Sequence, residues 1–202
     1  MKTAKLIYAD SESSDMFFAS GFHAPDPYLW FESDEQQAVV LSALEYGRGL
    51  KECKNGIAVY RMEEFFEVEK VVSADKVISR LAERLGVEQF LVPHDFPLGL
   101  AERIRNAGLV VSPVDGIYFP AREFKDLDQV DKISAAMRVT EDAMQTAVRM
   151  IADSSVNNDG TLNYQGGTLT SELVRTEINI QLLRHDAFGR DTIVACGPQG
   201  AD

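Results

Sequence analysis

The chain has 202 residues, 45% of them hydrophobic, which is enough for a packed core and too much for a disordered polymer. Its 20 Lys and Arg against 32 Asp and Glu leave a net charge of −12, which argues against nucleic acid or an anionic membrane as partner. No apolar run approaches the roughly 20 residues of a membrane-spanning helix. Met1-Lys2-Thr3-Ala4-Lys5 leads straight into strand-like sequence, with no signal-peptide core. Cys53 and Cys196 are far apart and lack metal spacing, so reduced thiols in a cytoplasmic protein are expected.

Lys5 to Ala9 reads as a strand, and polar Asp10 to Asp15 as a turn or helix start. Apolar Met16 to Ser20 follows and stops at Gly21. Pro25-Asp26-Pro27 cannot continue a helix, because proline lacks the amide donor and restricts the residue before it. Aromatic Tyr28 to Phe31 reads as a strand. Val39 to Leu44 reads as a second strand, and Ile57 to Tyr60, after the Asn55-Gly56 turn signal, as a third. Their closeness in sequence predicts antiparallel neighbours.

From Asp75 the period changes. Asp75 is a candidate cap for a helix whose inner face is Val77, Ile78, Leu81, Ala82 and Leu85, ended by Gly86. Gln89 to Val92 is a short strand. Pro97 suits the first turn of a second helix, with Leu100, Ala101 and Ile104 inward and Gly108 at its end, and Leu109 to Ser112 is a strand again. This order predicts an α/β domain with a mixed sheet over residues 1–121, including a parallel pair joined by a right-handed crossover. Ala121 to Lys125 reads as a junction. Asp126 and Gln129 then make a capping-box start. Apolar residues from Leu127 to Ile151 recur at helical spacing over about seven turns, as a core-packing stripe. A polar loop at Asn157 to Gly160 follows. Thr170 or Ser171 caps a further helix carrying Leu173, Val174, Ile178, Leu182 and Leu183. Thr192 to Cys196, bounded by Gly197-Pro198, reads as a buried strand.

No self-contained catalytic motif stands out. The histidines are His23, His94 and His185, and no H-E-x-x-H, C-x-x-C, G-x-S-x-G or phosphate-loop pattern occurs. Glu63, Glu64 and Glu67 alternate with Phe65-Phe66 and read as a solvated face rather than a carboxylate pair. Asp95, beside His94, reads as a helix cap. His185-Asp186 falls at a helix end, where a histidine suits the negative end of the dipole. Cys196 reads as an inert core thiol.

The stretch Asp191-Thr192-Ile193-Val194-Ala195-Cys196-Gly197 resembles the F-x-T-I-V-A-x-G strand of the Xaa-Pro aminopeptidase and prolidase family, the creatinase-like "pita-bread" metallopeptidases. Further likenesses are Met16 to Phe22 with the family's Y-Y-L-T-G-F, Arg122 and Lys125 with R-x-x-K, and Leu169 to Arg175 with a G-x-T-E-x-x-V-A helix. The resemblance implies a creatinase-type N-terminal α/β domain with a mixed sheet over 1–121. An incomplete α+β pita-bread domain of two helices and a strand would follow over 122–202.

The resemblance also implies a function for a longer parent protein. Family members hold two divalent metal ions (Mn, Co or Zn) bridged by carboxylates and a hydroxide that attacks the scissile carbonyl before proline. A His stabilises the oxyanion and a Glu handles protons. The ligand motifs would fall beyond Asp202, so this stretch is expected to be an inactive fragment with no cofactor of its own. The N-terminal domain is expected to limit access to short proline-containing peptides and to support a cytoplasmic homodimer. Gly21 to Phe31 would help close the partner's site, with His23 donating to a substrate carboxylate and Trp30 forming an apolar wall. Alternation along Tyr28 to Phe31 also allows Trp30 to be a core residue and His23 a plain surface residue. A non-catalytic binding or assembly module, or a creatinase-type amidinohydrolase, is the alternative on the same fold.

Overall fold

In a computed structural model that describes residues 2–65 and 73–200, the chain divides into two units, Met1–Glu123 and Phe124–Asp202. The first unit opens with β1 (Thr3–Ala9), α1 (Ser14–Ser20), β2 (Tyr28–Glu32), β3 (Gln37–Leu41), α2 (Ala43–Glu52) and β4 (Ile57–Arg61). It continues with α3 (Ala74–Leu85), β5 (Gln89–Val92), α4 (Leu98–Asn106) and β6 (Val110–Pro113). These strands form one mixed sheet in the order β4-β3-β2-β1-β5-β6.

The sheet is buried on both faces, which is why β2 is apolar at four successive positions. Leu29 and Phe31 point to one side and pack with Leu6, Val40 and Phe90 under Ile78, Leu81 and Ile104 of α3 and α4. Tyr28 and Trp30 point to the other side and pack with Ile7, Val39, Met16, Phe22 and Tyr118. The register that sets this alternation pairs Leu6 with Phe31 and Ile7 with Trp30. The Tyr118 hydroxyl ties the loop before residue 120 to the sheet, donating to the Leu91 carbonyl at 2.9 Å and accepting from the Leu6 amide at 3.0 Å.

The structure corrects the expected strand over Val39 to Leu44. The strand ends at Leu41, and Ala43 starts α2, a helix absent from the sequence reading. Gly47 and Gly49 hide this helix, because interior glycines lower helix propensity. Gly49 is required by packing: a Cβ there would lie 2.2 Å from Leu41 Cδ1. The extra helix changes the sheet. β1/β2 and β2/β3 are antiparallel as expected, but a helical crossover makes β3/β4 parallel. The β5/β6 pair is parallel, as expected. Two helix starts also differ: Ser73 rather than Asp75 precedes α3, and Pro97 rather than Asp95 occupies the position before α4.

The second unit holds α5 (Leu127–Ala152), β7 (Ser155–Val156), β8 (Leu162–Tyr164), β9 (Gly167–Thr168) and α6 (Ser171–Leu183). The capping box at Asp126 and Gln129 is formed in both directions, at 2.8 and 3.1 Å, and Thr170 caps α6. The loop regions read between the helices are in fact a small antiparallel sheet, β7-β8-β9. Its core is slight: Ala147, Met150 and Val174, with Tyr164, Leu169, Ile178 and Val194 against them.

The expected terminal strand over Thr192 to Cys196 is not formed. A strand needs a neighbour for its backbone donors and acceptors, and no described strand pairs with this segment. Val194 packs on the small core, while Ile193 is 87% exposed. Cys196 is likewise exposed rather than a core thiol, with the Ser171 hydroxyl donating to its Sγ at 3.6 Å.

Candidate functional site

The segment from Ser20 to Trp30 carries the residues singled out by the sequence. Helix α1 ends because Gly21 takes a left-handed conformation, φ 67°, and its amide returns to the Phe17 carbonyl at 2.8 Å. Beside it Ser20 is fully buried, and its hydroxyl donates to the Met16 carbonyl at 2.9 Å and accepts from the Phe22 amide at 3.0 Å. The Tyr28 hydroxyl lies 2.8 Å from Ser20 Oγ and donates to the Phe22 carbonyl at 2.9 Å. Burial raises Tyr28 to about 12, against a smaller opposing effect of the Ser20 hydrogen bond. Cys53, on the same side of the sheet, is pushed up to about 11, chiefly by burial and then by Glu52.

His23 is exposed, and its backbone carbonyl accepts from Arg48 of α2 at 3.0 Å. Trp30 is 1% exposed, with its ring edge-on to Phe119 at 5.4 Å between centroids. That is the burial of a core residue rather than of a pocket wall, and its Nε1 is the one buried side-chain polar atom without a partner among the described residues. His23 thus faces solvent while Trp30 supports the sheet from within. Sequence reasoning missed Arg48 and Ser20. Arg48 lies on the unrecognised helix, and the Ser20–Tyr28 pairing is set by the turn between them, not by a motif.

The remaining candidates stay apart. Glu63 and Glu64 are exposed on a 3-10 turn, Met62–Phe65, and Glu67 lies outside the described residues. His94 and Asp95 form an exposed loop, and His185 follows the end of α6, where its amide donates to the Leu182 carbonyl at 2.9 Å. Among the described residues, no group of three or more His, Cys, Asp or Glu side chains is placed to hold a metal ion. The described residues therefore offer no ligand set for a dinuclear metal centre. Within the second unit, α5, α6 and the segment after α6 bound a groove of about 720 Å³ lined by Ala143, Met144, Ile178, Leu182 and Phe188. No helix of the described residues is long and apolar enough to cross a membrane.

No protein-family profile matches this sequence, and no curated protein matches it. The fold does have counterparts among solved structures, Xaa-Pro aminopeptidases and prolidases among them. An X-Pro aminopeptidase from Thermotoga maritima gives a TM-score of 0.68 at 16% identity, over 91% of this chain and 47% of that one. A Xaa-Pro dipeptidase from Bacillus anthracis gives 0.70 at 10% identity, over 90% and 44%. The prolidase from Pyrococcus horikoshii OT3 gives 0.64 at 15% identity, over 91% and 45%. At these identities the likeness establishes the fold. The chain spans less than half the length of each of these proteins.

Proposed function

We propose that this chain is the N-terminal part of a metal-dependent proline peptidase, an Xaa-Pro aminopeptidase or dipeptidase. Its first unit would act as the creatinase-type domain, with a junction near residues 121–126, and its second as the opening of the catalytic domain. The observation that carries this reading is the fold likeness to Xaa-Pro peptidases over about nine tenths of the chain. The likeness reaches past the first unit, as expected of a two-domain peptidase cut within its catalytic half. In this reading the metal ligands belong to the parent's remaining sequence. The first unit limits access to short proline-containing peptides and supports a cytoplasmic homodimer.

His23 is the residue of this chain with a direct role to offer. Its exposed imidazole would donate to the carboxylate of a short peptide in the partner's site, and buried Trp30 would hold the strand that follows the segment. Two assays test this. The 202-residue chain with Mn²⁺ or Co²⁺ and an Ala-Pro peptide is expected to show no turnover above a metal-only control, and turnover would refute the assignment of the catalytic machinery elsewhere. In a longer protein containing this chain, His23→Ala is expected to lower kcat/KM for a dipeptide about 10-fold, the worth of one hydrogen bond to a charged group. Unchanged values on both a dipeptide and a longer peptide, with the dimer intact, would remove His23 from the site. A longer protein that binds proline peptides without cleaving them would favour a binding module.

A further inference from the structure

Helix α5 carries apolar residues on two faces. Ala147 and Met150 are buried with Val174 and Ile178 of α6. Val130, Ile133, Met137, Met144, Val148 and Ile151 lie on another face and stay 44–57% exposed. At 3.6 residues per turn these six share an arc of about 60° over a length of about 32 Å. Leu127, the remaining large exposed apolar residue of α5, lies about a quarter turn off that arc.

The positions of the six read the same in both directions. Their intervals are three, four, seven, four and three residues, about a midpoint between Thr140 and Glu141. Laid antiparallel on a second copy, Val130 meets Ile151, Ile133 meets Val148 and Met137 meets Met144, and each contact is made twice. That is the self-complementarity of a two-fold interface, in which residue i contacts j and j contacts i. The charges beside the stripe follow the same register. Arg138 and Glu141 are exposed on one flank of it. The antiparallel arrangement sets Arg138 of each copy within a turn of Glu141 of the other, so the two cations answer the two carboxylates that approach near the midpoint. Exposed Asp131 and Arg149 are matched likewise further out. A parallel pair would bring each of these charges beside its own copy, which is repulsive.

We infer that two copies of this chain pair through the exposed stripe of α5 as an antiparallel, two-fold helix dimer. The occupant is a second copy because the stripe and its flanking charges complement themselves, which an unrelated partner would not require. Burial of six half-exposed side chains per copy drives the association, and the charges fix its register. The inference concerns the 202-residue chain itself and does not rest on the peptidase reading. A dimer made by the first unit would be a separate contact.

Sedimentation equilibrium on the 202-residue chain tests it. A mass of twice the chain is expected at about 100 µM, above a dissociation constant on the order of micromolar. Met137→Glu sets two carboxylates against Met144 across the pair and is expected to raise that constant at least about 100-fold. Met137→Gln is the milder variant if that one does not fold, and is expected to raise it at least about 10-fold. Leu98→Glu, at an exposed apolar residue of α4, is expected to leave it unchanged. The register is read by oxidation in a Cys196→Ser background. A chain with both Met137→Cys and Met144→Cys is expected to cross-link into a dimer. Met137→Cys alone, about 10 Å along the axis from its own copy, is not. A monomer at about 100 µM overturns the inference and leaves the stripe to the remainder of a longer protein. A dimer that persists unweakened in the folded Met137 variants, or cross-linking by Met137→Cys alone, also overturns it.

Discussion

The two units of this chain treat their apolar residues differently. In the first, helices and loops cover both faces of a six-stranded sheet, and Leu6, Leu29, Phe31, Trp30 and Phe90 are all but removed from solvent. In the second, α5 buries Ala143, Ala147 and Met150 with α6, whereas Val130, Ile133, Met137, Met144, Val148 and Ile151 stay 44–57% exposed. The sequence predicts this second set as a core stripe, at the spacing of one helix face. Periodicity reports that a face is apolar; it does not report that the same chain covers it. The first unit thus covers its own apolar residues, whereas the outer face of α5 in the second stays exposed.

Truncating comparable side chains in the two places sharpens the contrast. Trp30→Ala is expected to cost about 3–5 kcal/mol, because it opens a cavity between the sheet and Phe119 in a core that cannot collapse freely. Denaturant unfolding measures it, and a loss under 1 kcal/mol on the order-of-magnitude scale of exposed sites would deny that core.

The next effect is the pH response of the first unit. Tyr28 and Cys53 hold their protons to about 12 and about 11, above ordinary values of 10.0 and 9.0, because burial disfavours the charged forms. Tyr118 is shifted in the same direction by the same cause. The folded state thus binds these protons more tightly than the unfolded state. Their contribution is complete below the ordinary values and is lost as pH rises through the raised ones. Stability is expected to be level up to about pH 9 and then to fall, with Tyr28 accounting for about 2 kcal/mol of the loss by pH 12. Tyr28→Phe should remove that share of the slope while lowering neutral stability by about 1 kcal/mol through lost hydrogen bonds. A Tyr28→Phe curve parallel to wild type above pH 10 would contradict the assignment.

The smallest effect is expected on α5. In the monomeric chain Met144→Ala should change stability by no more than about 0.5 kcal/mol, since half of the side chain is already in water. A loss of about 2 kcal/mol or more would mean that the chain covers the stripe itself.

Much of the first unit was legible because its signals are local. The αL glycines at Gly21 and Gly86, the Asn55-Gly56 turn and the aromatic run into β2 each fix one boundary. Helix α2 was not legible, because Gly49 answers to Leu41 across the packing rather than to its neighbours in sequence. The strand expected at Thr192 to Cys196 fails for a related reason: β propensity needs a partner strand, and none lies beside it among the described residues. Of the candidate site, the chemical identities of His23 and Trp30 were readable, and a core Trp30 beside an exposed His23 was one of the two readings left open, but the contacts that decide their exposures were not. Those follow from the phase of β2 and from the pinning of the preceding loop by Arg48 and Ser11, both distant in sequence.

Because Trp30 is the only tryptophan and lies in the core of the first unit, its fluorescence reports on that unit alone. Far-ultraviolet circular dichroism reports on the helices of both units. Urea unfolding followed by the two signals is the most direct test of the contrast. The expected result is one cooperative Trp30 transition, at the same midpoint in the 202-residue chain and in residues 1–123 alone, with part of the dichroism lost at lower urea. Coincident transitions in the whole chain, together with an unfolded 1–123 segment, would contradict the claim that the first unit is complete in itself.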